Sequence, residues 1–362
     1  MWPQTDLIDL LEIDHPILQA PMGGESTTSM VTAVCNAGGL GGLGCSYMSS
    51  DDIRRDVDKI RSSTNRSFNL NFFAHPEPKD DAEINEKTRA LVAPFYAELG
   101  IENVPSRLDA PCHAFDESKL ALLMELRPKV VSFHFGLPPA DMIRALRDAG
   151  SVVLCSATTV AEARWLADAG IDAIIAQGWE AGGHRGTFDV SFEDFGVGTM
   201  ALVPQIVDCV DIPVIAAGGI ADGRGIAAAL VLGASGVQLG TAFLSCPEAN
   251  ISIPYRRALR TATDDGTRLT RAFSGRSARA KNNRYIEAMA EKRTRLPDFP
   301  TMYGFSEPLE HASSDSGKSG FDFFLWGQGA AMNRELPAAE LVERLVEEAQ
   351  GALQLIAKPL RG

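Results

Sequence analysis

The chain has 362 residues, 45% of them hydrophobic and 22% charged, with a formal net charge of −13. That length suits one large domain or two modest ones and buries a core without disulfide or metal staples. The acidic balance argues against nucleic acid as the main partner, because binding a phosphate backbone needs a basic surface.

The charge is uneven. Residues 251–300 hold 12 Lys and Arg against 5 Asp and Glu. A basic helical face or a subunit contact, as in a homo-oligomer, accounts for this; a basic wall near a site for a small anion is the alternative. The six cysteines, at 35, 45, 112, 155, 209 and 246, form no CxxC pair or zinc-like cluster, so no metal is expected. They read as free thiols, and "MWPQTDLIDL" lacks a basic leader region, so a cytoplasmic location is expected. The uncharged stretch from Gly225 to Pro247 is long enough for a membrane span. Its glycines and polar residues divide it into a helix, a turn and a strand, so no membrane association is expected.

In chain order, eight short apolar runs predict strands. They are "PILQAPM" (16–22), "GLGGLGC" (39–45), "FNLNFF" (68–73), "VVSFHFG" (130–136), "VVLCSA" (152–157), "AIIAQG" (173–178), "PVIAAGG" (213–219) and "GVQLGTAFL" (236–244). Several lack polar alternation, as parallel strands buried on both faces do. Helical patterns lie between them. "DMIRALRDAG" stops at Gly150, "TTVAEARWLADAG" has a Thr cap and stops at Gly170, and "DGRGIAAALVLGA" opens on Asp222. This rhythm predicts an α/β protein, a (β/α)8 TIM barrel, with a doubly wound open sheet as the alternative. Residues 249–321 break the rhythm and read as a small, mainly helical domain on the substrate side, ending in a flexible "HASSDSGKSG" (311–320). Residues 1–248 and 322–362 form the barrel, closed by a long amphipathic helix that packs back on it.

"GLGGLG" (39–44) spells a dinucleotide fingerprint but lacks its context, since a helix precedes it and Thr64 stands where an acid belongs. It reads as the second barrel strand. "AAGGI" (216–220) and "QLGTAF" (238–243) end the seventh and eighth runs, where barrel enzymes often bind phosphate; two tight turns are the alternative. "QGWEAGGHRG" (177–186) follows the sixth run and can join the same cradle. His134 ends the fourth run, where side chains face a barrel's active site. It is either a packed core histidine or a general base. Asn69 and Asn71 share one strand face, and Gln177 ends another strand. Each either satisfies backbone or reads a polar ligand.

The motifs "QAPMGG", "GGLGGLG", "NLNFF", "SFHFG", "AQGWEAGGHRG", "PVIAAGGIADGRG" and "VQLGTAFL", in that order, resemble the nitronate monooxygenases, formerly called 2-nitropropane dioxygenases. "GRSARAKNNRY" and "LWGQG" resemble the same family's C-terminal half, whereas 301–320 departs from its pattern. The resemblance implies an FMN-binding barrel that oxidises alkyl nitronates, with nitroalkanes as a second candidate substrate, with O2 to carbonyl compounds and nitrite. It implies phosphate contacts from Gly182, Gly183, Gly218, Gly219, Gln238, Leu239, Gly240 and Thr241. It implies polar flavin contacts from Asn71 and Gln177, a backbone at Pro21 and Met22 lying against the ring, and His134 as the catalytic histidine. His184 is expected in the substrate pocket. An NAD(P)H-dependent flavin reductase, of the quinone or enoyl-thioester type, is the alternative on the same barrel; a non-catalytic flavin or phosphate binder is a third reading.

Overall fold

The computed structural model describes residues 5–79, 81–105, 111–188, 196–292 and 295–357. The tip of the C-terminal barrel segment, 358–362, lies outside them. The strands are β1 (Ile17–Gln19), β2 (Gly41–Gly44), β3 (Phe68–Phe73), β4 (Val130–His134), β5 (Val152–Ala157), β6 (Ala173–Gln177), β7 (Gly183–His184), β8 (Val214–Ala217), β9 (Gly236–Leu239), β10 (Thr267–Thr270) and β11 (Ala278–Lys281).

Eight of these pair in parallel in the order β1-β9-β8-β6-β5-β4-β3-β2. The two ends meet. Leu18 bridges to Leu40 and Met22 to Leu43, both in parallel. Gln19 N–H donates to the Leu40 carbonyl at 2.9 Å, and the Gln19 side chain accepts the Gly42 N–H at 2.9 Å. The sheet therefore closes as a barrel rather than opening as a doubly wound sheet. Its floor is plugged by the helix Asp6–Leu11, whose Leu7 and Leu11 pack with Leu18, Val130, Leu154 and Ile215 in one fully buried cluster. The outward strand faces bury Ile17, Val131, Val153, Ile174 and Val237 beneath the surrounding helices. Burial on both faces is why the strands carry unbroken apolar runs.

Local signals set the helices. Thr159 caps the helix Val160–Asp168 by accepting the Glu162 N–H, and Ser49 caps Ser50–Ser63 in the same way. Gly150 and Gly170 follow their helices with φ of +91° and +81°, which side-chain-bearing residues rarely adopt. The stretch from Gly225 to Pro247 is helix, strand and short helix, and among the described residues no helix is long and apolar enough to cross a membrane.

Two parts of 249–321 differ from their sequence reading. The supposed flexible connection is helical as far as Ser316, within the helix Tyr303–Ser316. The arginine-rich stretch contains an antiparallel hairpin, β10–β11, extended by β7 from the barrel. A separate core forms here from Phe273, Tyr285, Met302, Phe305 and Phe321, and it includes Val92 and Tyr96 of the helix Ala82–Leu99. It thus draws on both sides of the expected boundary at 248.

The C-terminal helix Ala338–Ala357 lies against the helix Gly223–Val231. A Cβ on Gly223 would sit 2.3 Å from Ala349 N and Glu348 C, so the close approach needs a glycine. Gly223→Ala is expected to cost about 1–3 kcal/mol by forcing the helices apart. Gly351→Ala, with nothing within 4 Å of its Cβ, is expected to be neutral or stabilising by about 0.5–1 kcal/mol. Denaturant midpoints of the two variants measure the difference.

Candidate active site

The C-terminal strand ends surround a cavity of about 390 Å³. All the residues expected from sequence to bind or react line it: Pro21, Met22, Asn71, His134, Gln177, Gly182, Gly183, His184, Gly218, Gly219, Gln238, Leu239, Gly240 and Thr241. Asn69 does not. Its amide donates to Ser132 Oγ at 2.8 Å, and Asn71 donates to the same oxygen at 2.8 Å. The strand pair β3–β4 thus fixes Asn71 at the cavity edge through Ser132.

His134 is bonded through both ring nitrogens. Nε2 lies 3.1 Å from the His184 carbonyl and Nδ1 lies 2.9 Å from Ser156 Oγ. A carbonyl only accepts, so Nε2 carries the proton and Nδ1 accepts the Ser156 hydroxyl. Burial pushes the ring down to about 4, against the pull of the His184 carbonyl; Arg276 and Arg185 lower it further. His134 is therefore neutral at pH 7, an acceptor at Nδ1 and a weak base. His184 is pushed down to about 3, first by burial, then by His134 and Arg276; its Nε2 lies 2.9 Å from Ser274 Oγ.

The stretch 177–186 is held at many points. Gln177 Nε2 donates to the His184 carbonyl at 3.0 Å, and its Oε1 accepts the Gly186 N–H at 2.7 Å. Glu180 accepts the Thr199 N–H and hydroxyl, each at 2.9 Å. Arg185 donates to the Gly178 carbonyl at 2.6 Å. The acid and base of this loop are structural, and Gly183 and His184 pair with Arg279 and Ala278 of β11. Gly182 is required because a Cβ there would meet Gly327 N at 2.4 Å; Gly183, with φ +74°, has open space where its Cβ would be.

The chemistry of this rim fits a phosphate. Gly218 and Gly219 turn with φ of +109° and +71°, and among the described residues their N–H groups have no acceptor. Thr241 Oγ1 accepts the Gly327 N–H at 2.9 Å and keeps its own proton to donate. Gln238 Oε1 is a buried acceptor without a donor, a place for a ligand N–H or O–H and not for a phosphate oxygen. Two neighbouring features do not contribute to this rim. The N-terminus of the helix Gly223–Val231 is not free for a ligand, because Asp222 accepts the Arg224 and Gly225 N–H groups at 2.9 and 3.4 Å. No basic wall faces the site either. Among the described lining residues there is no Lys or Arg, and Arg256, Arg260, Arg279 and Arg284 are spent on carbonyls and carboxylates elsewhere.

Sequence reasoning missed Ser156, Tyr47, Tyr303, Glu25 and Glu310, all of which line the cavity. Ser156 was findable, since it lies near the C-terminal end of β5 as His134 does in β4. Tyr303 and Glu310 come from the helix Tyr303–Ser316, which no local signal connects to the barrel mouth.

The buried neutral histidines make a pH prediction. His134, His75 and His184 have folded values of about 4, 4 and 3, below the ordinary 6.5. The unfolded chain binds more protons below pH 6.5, so their stability contribution is complete above that pH and is lost as pH falls toward 4. Glu25, raised to about 7, works in the opposite direction, losing its contribution as pH rises through 7, and Glu307 and Glu310, also raised by burial, act with it, while His15, lowered by burial, adds to the histidines. The unfolding midpoint is expected to fall steadily from pH 7 to pH 4.5 in calorimetry. A flat profile would show these histidines charged in the folded protein.

The fold and the cavity define a (β/α)8-barrel enzyme with a deep, glycine-rimmed site at the C-terminal face. Comparison with known proteins makes this specific. The pattern of the nitronate monooxygenase family matches residues 4–348. The nitronate monooxygenase of Paraburkholderia phytofirmans is 44% identical over 351 residues, covering 96% of each chain. Among solved structures, nitroalkane oxidase from Streptomyces ansochromogenes superposes with a TM-score of 0.87 at 39% identity, covering 97% of this chain and 99% of that one. FabK from Thermotoga maritima superposes with a TM-score of 0.74 at 30% identity, covering 98% of both chains. The chain belongs to the nitronate monooxygenase family, and its chemistry is oxidation of nitro compounds.

Proposed function

We propose that the chain binds FMN in this cavity and oxidises alkyl nitronates with O2 to carbonyl compounds and nitrite. The observation that carries the reading is His134, held neutral at a strand end facing the cavity, beside a rim of glycine N–H groups that suits a phosphate. Gly182, Gly183, Gly218, Gly219, Gln238, Leu239, Gly240 and Thr241 would hold the phosphate end. Asn71 and Gln177 would border the ring or ribityl chain, and the Pro21–Met22 backbone would lie against the ring. Bound there, FMN supplies an acceptor for the electron of a carbanion-like nitronate and a partner for O2.

The residues of the chain supply position and environment. A histidine pushed down to about 4 is a poor match for taking a proton from carbon at neutral pH. It is better suited to holding an already deprotonated nitro group, its Nε2–H turning from the His184 carbonyl to the substrate. The preformed nitronate is therefore the better substrate, and a neutral nitroalkane the poorer one. The aromatic walls around His134, including Phe73 and Phe135, keep the site dry.

A visible spectrum of the purified protein, followed by parallel additions, tests the reading. Flavin absorbance, oxygen uptake and nitrite release with a nitronate and no NAD(P)H are expected. Rapid anaerobic bleaching by NADH with no nitronate turnover would replace it with the reductase reading. Protein that is colourless and cannot be loaded with FMN would overturn the cofactor assignment. Gly182→Val is expected to lose flavin absorbance, because its side chain would collide with the Trp326–Gly327 backbone that shapes the rim.

A further inference from the structure

We propose that the cavity selects nitro compounds that also carry an ammonium group, with the cation held between Glu25 and Glu310 and the nitro end turned toward His134. The proposal rests on the nitronate reading above and names the substrate class for that site.

Among the described lining residues, Glu25 and Glu310 are the carboxylates, and no Lys or Arg balances them. They come from different elements: Glu25 from the loop after β1 and Glu310 from the helix Tyr303–Ser316. Neither has an ion-pair partner among the described residues. Glu310 accepts the Phe323 N–H at 3.2 Å, which fixes its carboxylate at the cavity wall. Aromatic rings line the same space. Tyr47 and Tyr303 meet edge to face at 6.4 Å with hydroxyls 3.2 Å apart, and Phe323 lies 6.3 Å from Tyr303. Carboxylates among aromatic faces are the recognition chemistry of an organic cation. A metal is a poor alternative, since no group of three His, Cys, Asp or Glu side chains among the described residues converges to hold one.

The electrostatics agree. Burial pushes Glu25 up to about 7, opposed by its own backbone N–H and reinforced by Glu310. Burial also raises Glu310; the Phe323 N–H and His311 oppose the rise, and Asp322 and Glu307 add to it. Two unpaired carboxylates in a low-dielectric pocket repel a simple nitronate anion and are satisfied by a substrate that brings its own cation. The nitronate of such a substrate is a zwitterion, which reconciles an anionic reacting end with an acidic pocket.

The test is calorimetric titration of the flavin-loaded protein at about pH 8, where Glu25 is ionised. The probes are n-propylammonium chloride, 1-propanol and sodium propionate. Propylammonium is expected to bind at least about 10-fold more tightly than either of the others. Its affinity is expected to fall about 10-fold in Glu25→Gln and in Glu310→Gln, and also in wild type as pH drops from about 8 to 6. Glutamine at 310 still accepts the Phe323 N–H, so flavin content and melting are expected to hold. Propionate binding as tightly as propylammonium, or glutamine variants with unchanged affinity, would overturn the proposal. Turnover separates it from the reading beneath it. Oxidation of simple alkyl nitronates, which carry no ammonium group, without propylammonium binding defeats the substrate class alone. Propylammonium binding without oxidation of any nitronate, amino-substituted or not, defeats the oxidation reading alone.

Discussion

Glu162→Ala is expected to lower the unfolding free energy by about 3–5 kcal/mol, among the largest losses from any single truncation in this chain. Glu162 is 2% exposed, and its carboxylate serves four donors. One oxygen accepts the Thr158 N–H and hydroxyl, each at 2.7 Å. The other accepts the Thr187 hydroxyl at 2.8 Å and the Phe188 N–H at 2.9 Å. Truncation leaves these donors buried without a partner, and each orphan costs about 1–3 kcal/mol before relaxation. The bonds also join the end of β5 to Thr187 and Phe188, a few residues after the His184 carbonyl that orients His134. Activity is therefore expected to fall with stability. Glu162→Gln keeps one oxygen acceptor and presents an amide where donors already stand, so an intermediate loss of about 1–2 kcal/mol is expected. Urea unfolding with unchanged slope and a shifted midpoint would report the effect. An alanine variant with a wild-type midpoint would show that water replaces the carboxylate.

Glu162 also shows where sequence reading stops. Thr159 followed three residues later by an acid marks a helix start, and Thr159 does cap that helix. The spacing does not reveal that the carboxylate reaches past the cap to Thr158 and on to Thr187 and Phe188, which lie 25 and 26 residues further along the chain. The barrel was legible because the strands bury both faces and several helices stop at a glycine, as at Gly150 and Gly170, and both are local signals. The site was legible in its floor and rim, since strand ends in a parallel barrel point to one place. The roof was not. β10 and β11 are short and rich in arginine and threonine, and they form a sheet only by pairing with each other and with β7. Tyr303 and Glu310 reach the cavity because their helix packs on the helix Ala82–Leu99, a contact across two hundred residues with no sequence pattern of its own. The departure of 301–320 from the family pattern marked the right segment without identifying the residues that matter in it.

His134→Asn is expected to lower kcat/KM for a preformed nitronate by about 100-fold, equivalent to about 2.7 kcal/mol of lost transition-state stabilisation. The ring N–H and its placement between Ser156 and the His184 carbonyl are what the substitution removes. Asparagine is shorter and cannot span both partners, so the remaining donor is misplaced by more than a hydrogen bond tolerates. Flavin content is expected to remain, because His134 takes no part in the glycine rim. Any turnover of a neutral nitroalkane is expected to vanish, since it needs an acceptor at Nδ1 as well. The pH profile separates this role from that of an ordinary histidine base. With the ring pushed down to about 4 by burial, its charge does not change between pH 6 and pH 8. Wild-type kcat/KM for a nitronate is therefore expected to show no limb near 6.5 that disappears in the variant. Such a limb would mean that the ring is solvated in the working enzyme and acts as a base. Unchanged nitronate turnover in His134→Asn would move the positioning role to Ser156 or to the tyrosines of the roof.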